Sequence, residues 1–112
     1  MKPEDRLQQQ ICLLLERTAH PGVVWCAINN NPRSARDGAR CKRMGVKAGV
    51  PDMMFWHRGQ NFQLEIKTEK GRASEAQLEW RDRMLNQGVK AMIGYGYEQI
   101  YNILKFTWGL IK

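Results

Sequence analysis

Gly49-Val50-Pro51-Asp52 opens a stretch that runs on through Met53-Met54-Phe55-Trp56-His57-Arg58-Gly59-Gln60-Asn61 and closes on Phe62-Gln63-Leu64-Glu65-Ile66-Lys67. Asp52 to Trp56 and Phe62 to Lys67 read as two strands, joined by His57 to Asn61 as a hairpin connection. Side chains alternate along a strand, so Glu65 and Lys67 share one face while Leu64 and Ile66 take the other. With the turn centred on Gly59, Glu65 and Lys67 pair near the Asp52 end of the hairpin. Two carboxylates and an ammonium then converge at one end of a sheet. Carboxylates on a rigid sheet suit a hard divalent cation that keeps several waters and binds phosphate oxygens. A lysine beside it can orient the attacking water or stabilise charge on the scissile phosphate. Spacing alone equally allows an exposed Glu65–Lys67 ion pair, with Asp52 merely opening a strand.

Working outward, Pro3 to Thr18 reads as a helix, with Leu7, Ile11, Leu14 and Thr18 at helical spacing, ended by His20-Pro21-Gly22. Val23 to Ile28 is a β-rich run. Asn29 to Gly49 reads as a long irregular segment punctuated by Asn, Pro and Gly. After the hairpin, Ser74 to about Gln87 reads as a helix closed by Gly88. Val89 to Tyr95 is a fourth strand and Tyr97 to roughly Phe106 a last helix. The order α-β-β-β-α-β-α predicts an α/β protein: a mixed four-stranded sheet flanked by helices, in a single domain spanning 1–112.

The 112 residues suffice for one core, and 43% hydrophobic content argues against disorder. No apolar run approaches the roughly 20 residues of a membrane span, and no signal peptide is visible, so a cytoplasmic location without membrane contact is expected. Cys12, Cys26 and Cys41 lack zinc-site spacing and read as ordinary reduced thiols. His20 and His57 have no triad partner and read as solvated. Eighteen Lys and Arg against eleven Asp and Glu give a net charge of +7, which favours a polyanionic partner. Arg33, Arg36, Arg40, Lys42, Arg43 and Lys47 cluster between Asn31 and Gly49, opposed only by Asp37. The cluster is either a solvated basic loop or, as preferred here, a phosphate-contacting one; Lys70 is a further candidate contact.

Gly49-Val50-Pro51-Asp52, then Glu65-Ile66-Lys67-Thr68, then Ser74-Glu75-Ala76-Gln77 with Trp80 three residues on, followed by a strand and a helix, resembles the PD-(D/E)XK nuclease superfamily. More narrowly, the chain is similar to the virus-type replication-repair nuclease (VRR-NUC) family, over Glu4 to Leu104. The resemblance implies a restriction-endonuclease-like core and Mg²⁺- or Mn²⁺-dependent phosphodiester hydrolysis. It implies Asp52 and Glu65 as metal ligands together with the Ile66 backbone carbonyl, Lys67 as the catalytic lysine, and Gln77 beside the site. It also implies an acidic residue on the first helix. Glu4 and Glu16 are the candidates; Glu4 falls in the apolar arc of Leu7, Ile11, Leu14 and Leu15, and Glu16 falls outside it, so Glu4 is preferred as a catalytic and metal-binding residue. First-turn dipole stabilisation is a sufficient structural reason for Glu4, and a Ser74–Gln77 capping box for Gln77.

The expectation is therefore a DNA endonuclease selective for structure, on four-way junctions or flaps, in replication, repair or recombination. By the same resemblance it belongs to a bacterial cell or a phage. The alternative is a non-catalytic DNA-binding or replication-partner module on a nuclease fold. A sequence-specific restriction enzyme would need a recognition region for which the chain is short. A homodimer is expected, because resolving a four-way junction takes two symmetric cuts and because Phe106, Trp108, Leu110 and Ile111 offer an apolar tail for an interface; the alternative is that the tail packs back onto its own domain.

Overall fold

A two-residue turn sets the register of the central hairpin. In the computed structural model, which describes residues 1–28 and 32–112, strand β2 (Met53–His57) returns as β3 (Gln60–Lys67) through Arg58 and Gly59. Both turn residues have positive φ, 51° and 75°, the handedness that matches the twist of a tight hairpin. Met53 pairs with Leu64 and Phe55 with Phe62, so Asp52 lies one step beyond the ladder, on the Glu65 side. The loop is shorter than expected: Gln60 and Asn61 belong to the returning strand.

Strand β1 (Val24–Ala27) lies antiparallel to β2, and β4 (Lys90–Tyr95) lies parallel to β3, giving the order β1-β2-β3-β4. Helix α3 (Glu75–Asn86) makes the crossover between β3 and β4. Met53, Phe55, Phe62, Leu64 and Ile66 form one apolar face of the sheet. Leu7, Ile11 and Leu15 of α1 (Pro3–Thr18) pack on it, with Ile100 of α4 (Gly96–Asn102) and Ile103 and Leu104 of the π-helical turn that follows (Ile103–Thr107). This is the expected mixed four-stranded sheet flanked by helices.

Three expectations are corrected. The stretch expected to be irregular contains a helix, α2 (Ala35–Arg43), whose N-cap Ser34 Oγ accepts the Asp37 N–H at 3.1 Å. None of its residues is buried, so it carries no apolar periodicity to read. Its basic side chains Arg36, Arg40, Lys42 and Arg43 are exposed, as are Arg33, Lys47 and Lys70 elsewhere. Asn29, Asn30 and Asn31 of that stretch lie outside the described residues.

The C-terminal tail does not stand out as an interface. Leu110 and Ile111 are buried, and the Trp108 ring packs against Phe55 and Phe62 at centroid distances of 5.8 and 5.3 Å. Backbone bonds from His20 N–H to the Leu110 carbonyl and from Lys112 N–H to the Thr18 carbonyl sew the tail to the end of α1. An apolar tail gains its burial from the nearest apolar face, which here is the protein's own core. Of the four residues expected at an interface only Phe106 is left exposed. His57, expected to be solvated, is half-buried, and its Nδ1 is enclosed without a partner. The three cysteines are unpaired, and no helix among the described residues is long and apolar enough to cross a membrane.

Candidate active site

The hairpin delivers its carboxylates to one place. Asp52 Oδ2 accepts the Ile66 N–H at 2.7 Å, a short charge-assisted bond that ties the entry of β2 to the far end of β3. Glu65, on the opposite face from Leu64 and Ile66, is only 6% exposed. Its Oε2 accepts from Gln77 Nε2 at 3.0 Å and lies 3.5 Å from Lys67 Nζ. Lys67 in turn lies 3.8 Å from Glu4 Oε1 on the first turn of α1. Four elements thus place Asp52, Glu65, Lys67, Gln77 and Glu4 in the wall of one open groove of about 1010 Å³. Ile66 lines it too, between the two charged residues of its strand.

Gln77 is held from both sides. Ser74 Oγ accepts the Gln77 N–H and Gln77 Oε1 accepts the Ser74 N–H at 2.9 Å, a complete capping box. With its oxygen engaged at the cap, the amide can turn only its NH₂ toward Glu65, so the cap and the contact to Glu65 hold together. Gly49 explains the start of the Gly-x-Pro-Asp motif. Its φ is +85°, and a Cβ there would collide with the Ala76 carbonyl. Only glycine lets the chain entering β2 touch the first turn of α3, next to Gln77.

The electrostatics are those of a pair under tension. Burial is the main cause that pushes the Glu65 carboxyl up to about 8, with the Asp52 charge and hydrogen bond adding to it and Lys67 opposing it. A divalent cation would relieve both causes, because it compensates the burial of negative charge and bridges like charges. Among the described residues no three His, Cys, Asp or Glu side chains converge as a ready-made cage. Two carboxylates with room for water and phosphate oxygens nevertheless fit Mg²⁺ or Mn²⁺, which seldom take an all-protein shell.

Glu4 reaches the groove by its place along α1 and not by its angle on the helical wheel. Glu4 is half exposed rather than aimed into the sheet, and Glu16 lines the same groove. What separates them is distance along the helix: twelve residues amount to about 18 Å of rise, and Glu4 is the one whose carboxylate reaches Lys67. Sequence reasoning passed over Gln8 and Cys12, which line the groove between them. The signal was a polar series at four-residue spacing, Glu4-Gln8-Cys12-Glu16. Pro32 also lines the groove, so the basic segment that begins with Arg33 starts at its rim.

Residues 2–97 match the model of the VRR-NUC domain, and the chain belongs to that family of nucleases. Among solved structures, a VRR_NUC domain protein shares the fold at a TM-score of 0.76 and 23% identity, covering 98% of this chain and 91% of its own. A second VRR_NUC domain aligns at 0.68 and 18% identity, covering 95% and 98%. Hjc of Archaeoglobus fulgidus, a Holliday junction resolvase from an archaeal hyperthermophile, aligns at 0.51 and 14% identity, covering 82% of this chain and 67% of its own. No curated protein matches the chain. The sheet and its flanking helices are thus the restriction-endonuclease-like core expected from the sequence.

The Glu65 environment makes stability depend on pH in a definite direction. Folded Glu65 keeps its proton to about pH 8, whereas an ordinary glutamate loses it near 4.5. Between these values the folded state binds the extra proton, so stability falls as pH rises through that window and levels off above it. Thermal unfolding in EDTA should show Tm declining from about pH 5 to about pH 8, and Glu65→Gln should remove most of that slope. A Tm that Glu65→Gln leaves with the same pH dependence would contradict the assignment.

Proposed function

We propose that the chain is a divalent-metal-dependent DNA endonuclease that hydrolyses phosphodiester bonds, selecting branched DNA such as four-way junctions or flaps. The observation that carries this reading is the Lys67 ammonium 3.5 Å from Glu65 Oε2 in a groove wall shared with Asp52. Asp52, Glu65 and the Ile66 carbonyl would hold Mg²⁺ or Mn²⁺, with Glu4 as a further candidate ligand, and the ion would supply Lewis-acid stabilisation of the scissile phosphate. Lys67 donates to the attacking water or to a non-bridging phosphate oxygen. The water oxygen forms the new bond to phosphorus as the bond to the leaving sugar oxygen breaks; the attacking water gives up a proton to solvent, and the leaving oxygen takes one from solvent. Gln77 keeps the Glu65 carboxylate oriented, and Glu4 holds the Lys67 side chain over the groove before substrate arrives.

Arg33, Arg36, Arg40, Lys42, Arg43, Lys47 and Lys70 are the proposed contacts to the DNA backbone. Phosphate contacts carry no base sequence, which supports selection by DNA shape. The fold shared with a Holliday junction resolvase supports a branched substrate. The rival reading is a DNA-binding module without cleavage; the filled set of charged positions speaks for the enzyme. Symmetric cutting of a four-way junction supports a homodimer, for which Phe106 is the exposed residue of the C-terminal tail while Leu110 and Ile111 lie in the protein's own core.

Incubation of linear, flapped and four-way DNA with Mg²⁺, Mn²⁺ or EDTA tests the reading. Cleavage is expected with metal only and on branched DNA first. Asp52→Ala, Glu65→Ala and Lys67→Ala should each lower it by at least about a hundredfold. Neutralising Arg40, Lys42 and Arg43 together should weaken DNA binding in EDTA and flatten its salt dependence by roughly one log–log unit for each phosphate no longer neutralised. Binding without cleavage under every metal condition would select the rival module. Sedimentation equilibrium at micromolar concentration should give the mass of two chains; the mass of one would refute the homodimer.

A further inference from the structure

Helix α3 carries Gln77 to the site, and none of its residues is fully buried; Ala76, Gln77, Trp80 and Met84 are half-buried. The capping box fixes Gln77 only relative to its own helix. A second contact, one turn further along, ties the helix to the strand. The Trp80 indole N–H donates to Gln63 Oε1 at 2.9 Å. Gln63 lies two residues before Glu65 on the same face of β3 and is 5% exposed.

Gln63 is itself fixed from behind. Its Nε2 donates to Asn61 Oδ1 at 2.9 Å, and Asn61 Nδ2 donates to the Phe55 carbonyl at 2.9 Å. Gln63 Nε2 also lies 3.6 Å from Met84 Sδ, a further turn along α3. With both amide hydrogens directed elsewhere, the Gln63 oxygen faces the indole. Gln77–Glu65 and Trp80–Gln63 are therefore two rungs between α3 and β3, three residues apart on the helix and two apart on the strand. The Trp80 rung adds a polar tie one turn beyond Gln77, so the direction of the helix as well as its position at Gly49 and Gln77 is held.

We infer that Trp80 is a positioning residue, which acts through Gln63 to seat α3 so that the Gln77 amide meets Glu65. Its consequence for catalysis rests on the proposed nuclease reading; its consequence for Gln77 does not. A buried amide oxygen left without its donor costs the full desolvation of that group, so losing the indole N–H favours a shifted helix. The shift moves Gln77, whereas none of the proposed DNA-backbone contacts lies on α3.

A double-mutant cycle with Trp80→Phe and Gln77→Ala tests this, because Phe keeps an aromatic ring at the site while removing the donor, and the cycle isolates the part of its effect that runs through Gln77. In the wild-type background, Trp80→Phe should lower kcat about tenfold and leave KM for DNA unchanged, since a misplacement near 1 Å suffices for an effect of that size. In the Gln77→Ala background it should change kcat by less than about twofold. An equal loss in both backgrounds, or none in the wild type, overturns the inference. A readout independent of cleavage accompanies it: in ¹⁵N–¹H spectra without DNA, Trp80→Phe should shift the Gln77 side-chain amide signals and spare the Leu110 backbone amide. If the wild-type protein cuts no DNA, the nuclease reading fails and these signals decide the positioning alone. Gln77 signals that stay in place would refute it.

Discussion

Two carboxylates cannot be set side by side in a protein wall unless something holds them there, and here that constraint is the hairpin register. The Arg58-Gly59 turn pairs Met53 with Leu64, and the Ile66 N–H then bonds the Asp52 carboxylate. A slip of one residue would send Leu64 and Ile66 into the groove and Glu65 and Lys67 into the core. The burial of Met53, Phe55, Leu64 and Ile66 on the other face makes that slip prohibitive. The apolar face therefore enforces the register, and the register places the chemistry.

Each remaining part of the site is recruited by an element that has another reason to be present. Helix α1 packs Leu7, Ile11 and Leu15 on the sheet, and its first turn brings Glu4 to Lys67. Helix α3 connects β3 to the parallel strand β4, and its capping box presents the Gln77 amide to Glu65. Gly49 permits the close approach between the chain entering β2 and that helix. The cost of crowding is concentrated on Glu65, whose raised pKa records both its burial and the neighbouring Asp52. Shifts of this kind cluster at functional sites, where burial and like charges are held together.

Much of this was legible in the sequence, and what was missed has physical reasons. Period-two alternation and Gly59 gave the hairpin, because its two faces differ sharply in polarity. The Ser74 spacing made the capping role of Gln77 readable, and the family resemblance its place beside Glu65. Helix α2 was hidden because it buries nothing and is held by a Ser34 cap instead of an apolar stripe. The tail was misread because the rings that receive Trp108, those of Phe55 and Phe62, are remote in sequence and meet it only in the folded core. Glu4 was chosen for its angle on the helix, whereas its place along the axis is what brings it to Lys67.

The central claim is that Asp52 and Glu65 form one cation site held ready by the fold, with Lys67 beside it and not part of it. Calorimetric titration of Mn²⁺ into the protein without DNA tests this most directly. Binding is expected in the wild type and in Lys67→Ala, with a loss of about tenfold or more in Asp52→Asn and in Glu65→Gln. Equal affinity in all four proteins would contradict the account.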